Sequence, residues 1–153
     1  MPEKVTLQPC LGLTPVETTV GRQACYLVAE ELRAGKANLG CGPALNARVQ
    51  EDLDFIEYYP IIAVEGCDRC CASRLVRKFG QEPEVAVIVP EVLREAGISL
   101  AAEKGLVAEV DPYQVRCGAG KPDPTPHLEL DHPAVQAVAQ RCVAELDRLL
   151  SAP

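Results

Sequence analysis

Apolar residues occur along the chain in short continuous runs that alternate with stretches of helical periodicity. Continuous runs of this length, bounded by polar residues, glycine or proline, are typical of strands buried on both faces of a parallel sheet. Pro60–Val64 and Val85–Val89 are continuous runs of this kind and are predicted as strands. Three other segments are also predicted as strands, of which the second is weak because it contains Asn38 and Gly40: Val5–Pro9, Ala37–Cys41 and Leu106–Val110.

Between these runs, apolar residues recur at the three- and four-residue spacing of amphipathic helices. The predicted helices are 14–33, Ala47–Tyr59, Asp68–Phe79, Val92–Gly97 and a final one from Asp131 or His132 to Leu150. Thr14, followed by Pro15 and Glu17, is typical of a helix start, and Asp68 is the expected cap of the third helix.

The alternation of strands and helices predicts an α/β fold with right-handed crossovers. We expect a single three-layer domain over residues 1–153, with a mostly parallel sheet of about four strands or more flanked by helices. Its architecture would be Rossmann-like or flavodoxin-like, ending in a C-terminal helix at about 132–150. The Gly- and Pro-rich stretch 117–131 is expected to form an extended loop.

Charge and hydropathy exclude several partners. The net charge of −7 opposes binding to nucleic acid and to anionic membrane surfaces, which both need a basic face. The longest apolar run, around Pro60–Val64, is too short for a membrane helix. The first residues lack the apolar segment of a signal peptide, so we expect a cytoplasmic protein whose thiols are reduced.

Cysteine is the informative residue type, because the chain has eight cysteines and two histidines. In a reduced domain, this cysteine-rich composition points to metal or redox chemistry more than to disulfides. Cys10, Cys41 and Cys67 each fall at the end of a predicted strand. Since parallel strands end at one edge of a sheet, where α/β proteins bind ligands, these thiols are expected to converge there.

Two further cysteines follow Cys67 directly, in the segment Gly66-Cys67-Asp68-Arg69-Cys70-Cys71. Cys70 and Cys71 would lie in the first turn of the predicted helix, where free N–H groups and the helix dipole stabilise thiolates. Arg69 and Arg74 are expected to act in the same direction.

Three motifs together resemble the DGC-domain family, described as zinc-binding proteins with four cysteines and an Asp-Gly-Cys motif. They are Pro9-Cys10-Leu11-Gly12, Cys41-Gly42-Pro43-Ala44 and Val64-Glu65-Gly66-Cys67-Asp68-Arg69-Cys70-Cys71-Ala72, and the resemblance covers about residues 5–95. It implies a Zn²⁺ ion bound by Cys10, Cys41, Cys67 and Cys71. Glu65 replaces the family's Asp, and Glu65 and Gly66 are expected to support the ligands.

Different roles are expected for the remaining thiols and for several polar residues. Cys70 and Cys117 are possible additional thiols of the site, whereas Cys25 and Cys142 fall on apolar helix faces and are expected in the core. Solvent-facing positions are expected for two histidines and for one group of acidic residues: His127, His132, Glu51, Asp52, Asp54 and Glu57.

Three interpretations of the chemistry remain open from the sequence. Thiolates at these positions suit zinc, but the same ligands suit an iron–sulfur cluster. In the third interpretation, Cys67, Cys70 or Cys71 is the nucleophile of a thiol enzyme or sulfur carrier. The expected partners are a metal ion and, for the redox and sulfur-transfer alternatives, a protein of redox or sulfur metabolism. The sequence assigns no catalytic residue and leaves open whether the chain is an enzyme.

Overall fold

Four parallel strands form one sheet in the part of the chain that the computed structural model describes, residues 2–12, 16–103 and 128–152. The strands are β1 (Val5–Pro9), β2 (Ala37–Leu39), β3 (Ile61–Glu65) and β4 (Val85–Ile88), in the order β2-β1-β3-β4. Every pairing is parallel. The predicted α/β class is confirmed.

Helices cover both faces of this sheet and complete the three expected layers. They are α1 (Val16–Leu27), which continues as a π-helical segment Val28–Leu32, α2 (Gly42–Asn46), α3 (Gln50–Tyr58), α4 (Cys71–Lys78), α5 (Val89–Ala96) and α6 (Pro133–Leu150). One face packs against α1, α5 and α6, and the other packs against α2, α3 and α4.

The central strands β1 and β3 are buried on both sides of the sheet, including the polar residues Thr6 and Gln8 of β1. Leu7 and Ile62 pair in register and pack into the core beneath α1, α5 and α6. Ile61 points to the opposite core, where it meets Leu45 and Val76. Each such apolar side chain contributes roughly 1.5–3 kcal/mol when fully buried, which accounts for the continuous apolar run 61–64 in β3.

The predicted helix Ala47–Tyr59 and the predicted strand Ala37–Cys41 have bounds that differ from those in the structure. The helix predicted over Ala47–Tyr59 is observed as α3, Gln50–Tyr58, with a later start. Arg48, a residue with a left-handed φ of 61°, separates it from the short helix α2, which was not predicted. The predicted strand Ala37–Cys41 ends earlier, at Leu39, because Pro43 stands in the first turn of α2 and Cys41 is already its N-cap.

The remaining boundaries shift by a few residues. The strand predicted as Pro60–Val64 is Ile61–Glu65, and Val89 starts α5 instead of ending β4, because Pro90 suits a first helical turn. Gly97 ends α5 in the left-handed region, with a φ of 68°. Helix α6 begins after His132, whose Nδ1 accepts a hydrogen bond from the Ala134 N–H at 3.1 Å.

Some predictions fall outside the described residues. These are the helix start at Thr14 and Pro15, the strand Leu106–Val110, and residues 117–127 of the predicted loop. Within the described residues, no helix is long and apolar enough to span a membrane.

Candidate metal centre at the carboxyl edge of the sheet

Three of the predicted ligands lie at one edge of the sheet. Cys10 directly follows β1, Cys41 follows the end of β2, and Cys67 follows the end of β3. All these strands are parallel, so the three residues share the carboxyl edge, as expected. After β1 the chain passes to α1 on one face of the sheet, and after β3 it passes to α4 on the other face. The two connections diverge and leave a crevice between the strand ends, which is where open α/β sheets bind ligands.

Cys10 and Cys71 line the same cleft at this edge. The cleft has a volume of about 240 Å³ and lies between the loop after β1, the start of α2 and the start of α4. Cys10 is 7% exposed, and its backbone N–H donates to the Val64 carbonyl at 2.8 Å. Cys71 is exposed and is the first residue of α4. The fold therefore brings together two thiols that are far apart in sequence.

Cys41 is placed next to this cleft by a buried carboxylate. Its backbone N–H donates to Oδ1 of Asp52 on α3 at 2.7 Å, and Gly42 and Pro43, which follow it, line the cleft. Asp52 is buried, which corrects the expectation that this acidic residue faces solvent. Its place next to Glu51 in an acidic stretch gave no signal of that role.

The helix that begins at Cys71 is capped from inside the core by Glu65. This side chain is 0% exposed, and its two oxygens accept the backbone N–H groups of Ala72 at 3.2 Å and Ser73 at 2.7 Å. Asp68 is not the cap that was predicted, because Cys70 precedes the helix in a left-handed conformation with a φ of 50°. The Glu65 carboxylate takes over the capping, as anions favour helix N-termini.

Gly66 fixes the turn that carries Cys67. A Cβ atom at Gly66 would lie 2.9 Å from both the backbone nitrogen and the Cα of Thr18 at the start of α1. Backbone atoms cannot yield as a flexible side chain can, so only glycine permits this approach. Glu65 and Gly66 thus position the segment that contains Cys67, Cys70 and Cys71.

The electrostatics of Cys70 and Cys71 differ from the sequence expectation. Desolvation raises the pKa of the Cys71 thiol, and the neighbouring Cys10 raises it further. Desolvation, followed by the Glu65 carboxylate, likewise raises the pKa of Cys70. Arg74 lowers both pKa values but by less than the opposing effects. Desolvation and the neighbouring groups therefore raise both pKa values, in contrast with the activation expected at the helix start.

Comparison with known families assigns most of the chain to one family. Residues 6–110 match the family model described as the DGC domain. The chain belongs to the DGC domain family. The match confirms the resemblance and extends it beyond residue 95, leaving α6 outside the family segment. Searches of curated proteins and of solved structures found no match.

The cysteines of this DGC domain are not gathered into a complete ligand set. Within residues 2–12, 16–103 and 128–152, no three His, Cys, Asp or Glu side chains are grouped closely enough to hold a metal ion. The described cysteines are free thiols. Coordination of one ion by Cys10, Cys41, Cys67 and Cys71 thus stays a prediction, and Cys117 lies outside the described residues.

Two of the cysteines of this chain belong to the core, as expected. Cys25 on α1 and Cys142 on α6 are fully buried in the same apolar cluster. Burial raises the pKa of Cys142 to about 12 and that of Cys25 well above its ordinary value.

His132 is not a solvated loop residue, because besides capping α6 it contacts Glu103 at 2.8 Å. His127 lies outside the described residues.

Proposed function

We propose that this DGC domain binds a zinc ion through the thiolates of Cys10, Cys41, Cys67 and Cys71. The supporting observation is that the parallel sheet delivers three of these residues to one edge, beside the helix that begins with the fourth. Thiolates are the ligands that structural zinc sites use most, and four of them satisfy its coordination.

The different exposure of the four thiols allows their side chains to rearrange around an ion. Cys41 and Cys71 are exposed, so their side chains can rotate without opening a cavity in the core. Cys10 is buried and Cys67 is half-buried, so their positions depend on the backbone. Binding would then require rotation of exposed side chains, while the strands and helices stay in place.

The chain's own residues would prepare the site in two ways. Glu65 holds the first turn of α4, and Gly66 keeps the turn with Cys67 against α1. The raised pKa values of Cys70 and Cys71 favour protonated thiols in the absence of an ion. Zinc, when bound, supplies the positive charge that favours deprotonation of its thiol ligands.

We propose that folding of the domain does not depend on the ion. The large apolar cluster beneath α1, α5 and α6 is built from strands and helices that do not depend on the cysteine segment. Zinc fingers, by contrast, lack a core of this kind and unfold without metal. Thiolate ligands also require a reducing compartment, for which we propose the cytoplasm.

An iron–sulfur cluster, with a redox or sulfur-metabolism protein as partner, is the alternative that uses the same thiols. Iron–sulfur clusters are held by cysteine thiolates, and Cys70 supplies a further half-buried thiol beside the proposed ligands, which supports this alternative. A thiol nucleophile at Cys70 or Cys71 is less well supported, because the pKa values of both thiols are raised.

Anaerobic purification with elemental analysis and an absorption spectrum tests the proposal. We expect a colourless protein with one zinc per chain, and Cys67→Ala should lose the zinc. Cys25→Ala is the matched control, because it makes the same substitution at a core cysteine. A brown protein with iron and acid-labile sulfide would support the alternative, and equal zinc in both variants would contradict the ligand assignment.

A further inference from the structure

Cys67 and Cys70 flank a tight turn between β3 and α4. The backbone N–H of Cys70 donates to the Cys67 carbonyl at 3.4 Å, which closes the turn over Asp68 and Arg69. A turn of this kind holds its first and fourth Cα atoms less than about 7 Å apart. Disulfides join residues whose Cα atoms are roughly 4.4–6.8 Å apart, so the backbone here suits a bond between the two sulfurs.

The two cysteines lie close to each other at the protein surface. Both residues are half-buried, and Asp68 and Arg69 between them are exposed. Desolvation is the main cause that raises the pKa of Cys70, and Cys67 is among the neighbouring groups that raise it further. Electrostatic effects weaken with distance, so this one agrees with the proximity that the turn imposes.

Cys70 has a backbone conformation that its residue type disfavours. Its φ of 50° and ψ of 51° lie in the left-handed region, which glycine and asparagine occupy more readily. Residues held in this region occur preferentially at functional sites. Cys70 is not a proposed zinc ligand, so zinc binding does not account for a thiol at this position. The C-x-x-C spacing from Cys67 is typical of dithiols that undergo redox exchange in α/β proteins.

We propose that Cys67 and Cys70 form a reversible disulfide that controls zinc binding at this edge of the sheet. The oxidant is a small disulfide such as oxidised glutathione. The thiolate of one cysteine attacks it and releases one glutathione, and the second cysteine then attacks the mixed disulfide and releases the other. The two cysteines lose two electrons, which reduce the two glutathione sulfurs, and one S–S bond replaces another.

The protons of this exchange depend on the state of the site. In the metal-free protein, the two thiol protons pass to the two glutathione thiolates. When Cys67 is bound to zinc as a thiolate, only Cys70 supplies a proton, and the second glutathione thiolate takes its proton from water. Uncatalysed exchange of this kind takes minutes to hours, so it does not need the activated thiol of an enzyme.

Formation of the disulfide removes Cys67 from the proposed ligand set. Zinc is bound by thiolates, and a sulfur in a disulfide is no longer a thiolate. Cys10, Cys41 and Cys71 would remain as three sulfur ligands, so oxidation should release the ion. This consequence rests on the proposed function, whereas the exchange between Cys67 and Cys70 does not.

Tryptic peptide mapping after treatment with oxidised glutathione tests whether the bond forms. Trypsin cuts after Arg69, so Cys67 and Cys70 fall in different peptides, 49–69 and 70–74. We expect mass spectrometry to find these two peptides joined in both metal-free and zinc-loaded protein. Treatment with dithiothreitol should separate them again.

Two serine variants identify the partner of Cys67, because Cys71 also lies in peptide 70–74. The link should persist in Cys71→Ser and disappear in Cys70→Ser. The opposite result would overturn the proposal. A link from 70–74 to peptide 5–22, which contains Cys10, in place of the link to 49–69 would also overturn it.

Zinc release measured with a colorimetric indicator tests the control of the site. Oxidised glutathione should release zinc from the original protein and from Cys142→Ala, a control at a core cysteine. Cys70→Ser should retain its zinc, because it keeps the four proposed ligands but cannot form the bond. Equal zinc release from Cys70→Ser would overturn the proposal.

Zinc content separates the failure of this proposal from failure of the proposed function. A protein with full zinc that forms no bond between Cys67 and Cys70, with or without its metal, would overturn the disulfide and leave the zinc proposal intact. A protein that forms the bond but never binds zinc would support the exchange and contradict the zinc proposal.

Discussion

Oε1 of Glu65, at the end of β3, accepts the backbone N–H of Ser73, in the first turn of α4, at 2.7 Å. The bond joins a central strand of the sheet directly to the helix that begins with Cys71. Because Glu65 is fully buried, water does not compete for its oxygens. The orientation of the cysteine segment therefore depends on a carboxylate in the core.

Replacing Glu65 by alanine should lower the free energy of unfolding by about 1.5–3 kcal/mol, the value of hydrogen bonds to a charged group. It leaves the N–H groups of Ala72 and Ser73 unpaired, so their amide exchange should accelerate. Urea denaturation and hydrogen exchange measure both effects. Glu57→Ala, at an exposed position of α3, is the control, and equal stability of the two variants would contradict the capping role.

Gly66→Ala should also destabilise the protein, because its Cβ would meet the backbone of Thr18. Overpacking of this kind typically costs about 1–3 kcal/mol, and here α1 or the β3–α4 turn must move. Thermal unfolding measures the loss. Gly42→Ala is the matched control at the same edge, since its Cβ makes ordinary contacts; similar melting temperatures for both would show that the close approach is unimportant.

The strands could be predicted because burial on both faces leaves a local record in the sequence. Val5–Pro9 forms a strand with the predicted bounds, and the other central strand shifts by one residue. The helix starts were less predictable, since they depend on contacts outside the segment. Arg48 in a left-handed conformation separates α2 from α3, and nothing in its residue type signals this.

The features of the site, like those of the fold, were predictable where they depend on local sequence and unpredictable where they depend on distant contacts. Strand-end positions were enough to predict that Cys10, Cys41 and Cys67 share an edge. The pKa values of Cys70 and Cys71 were predicted in the wrong direction, because desolvation, together with neighbouring groups that include Glu65 on β3, outweighs the effect of Arg74. The burial of Gln8, which is 1% exposed, was not predicted, because it depends on helices that come later in the chain.

Alkylation should separate edge cysteines from core cysteines in reduced, metal-free protein. Cys41 and Cys71 are exposed and should react first with iodoacetamide, whereas Cys25 and Cys142 are fully buried. The pKa of Cys142 is raised from 9.0 to about 12, which lowers its thiolate fraction at neutral pH by about a thousandfold. Peptide mass spectrometry gives the rates, and equal rates for all four would contradict this partition.

The ion pair between Arg33 and Asp147 predicts how stability depends on pH. Arg33 donates from Nε at 2.8 Å and from Nη2 at 2.6 Å to the two carboxylate oxygens, which lowers the pKa of Asp147. Because the folded pKa is below the unfolded one, the stabilisation is present above the unfolded value, about 3.9, and is lost as pH falls through the folded value.

Asp147→Asn should therefore be less stable than the original protein at pH 7, and the difference should shrink below about pH 4. The effect should be small and weaker in high salt, since both side chains are partly exposed. Urea denaturation at several pH values measures it. Asp131→Asn, at an exposed position, is the control; a difference for Asp147→Asn that is independent of pH would contradict the assignment.

Zinc-edge X-ray absorption spectroscopy of anaerobically purified protein tests the central claim most directly. If Cys10, Cys41, Cys67 and Cys71 bind one ion, the spectrum should fit four sulfur ligands at about 2.3 Å. Cys41→Ser should reduce the sulfur count to three or release the ion, while Cys142→Ala should retain all four. A first shell dominated by nitrogen or oxygen, or a sulfur count unchanged in Cys41→Ser, would contradict the claim.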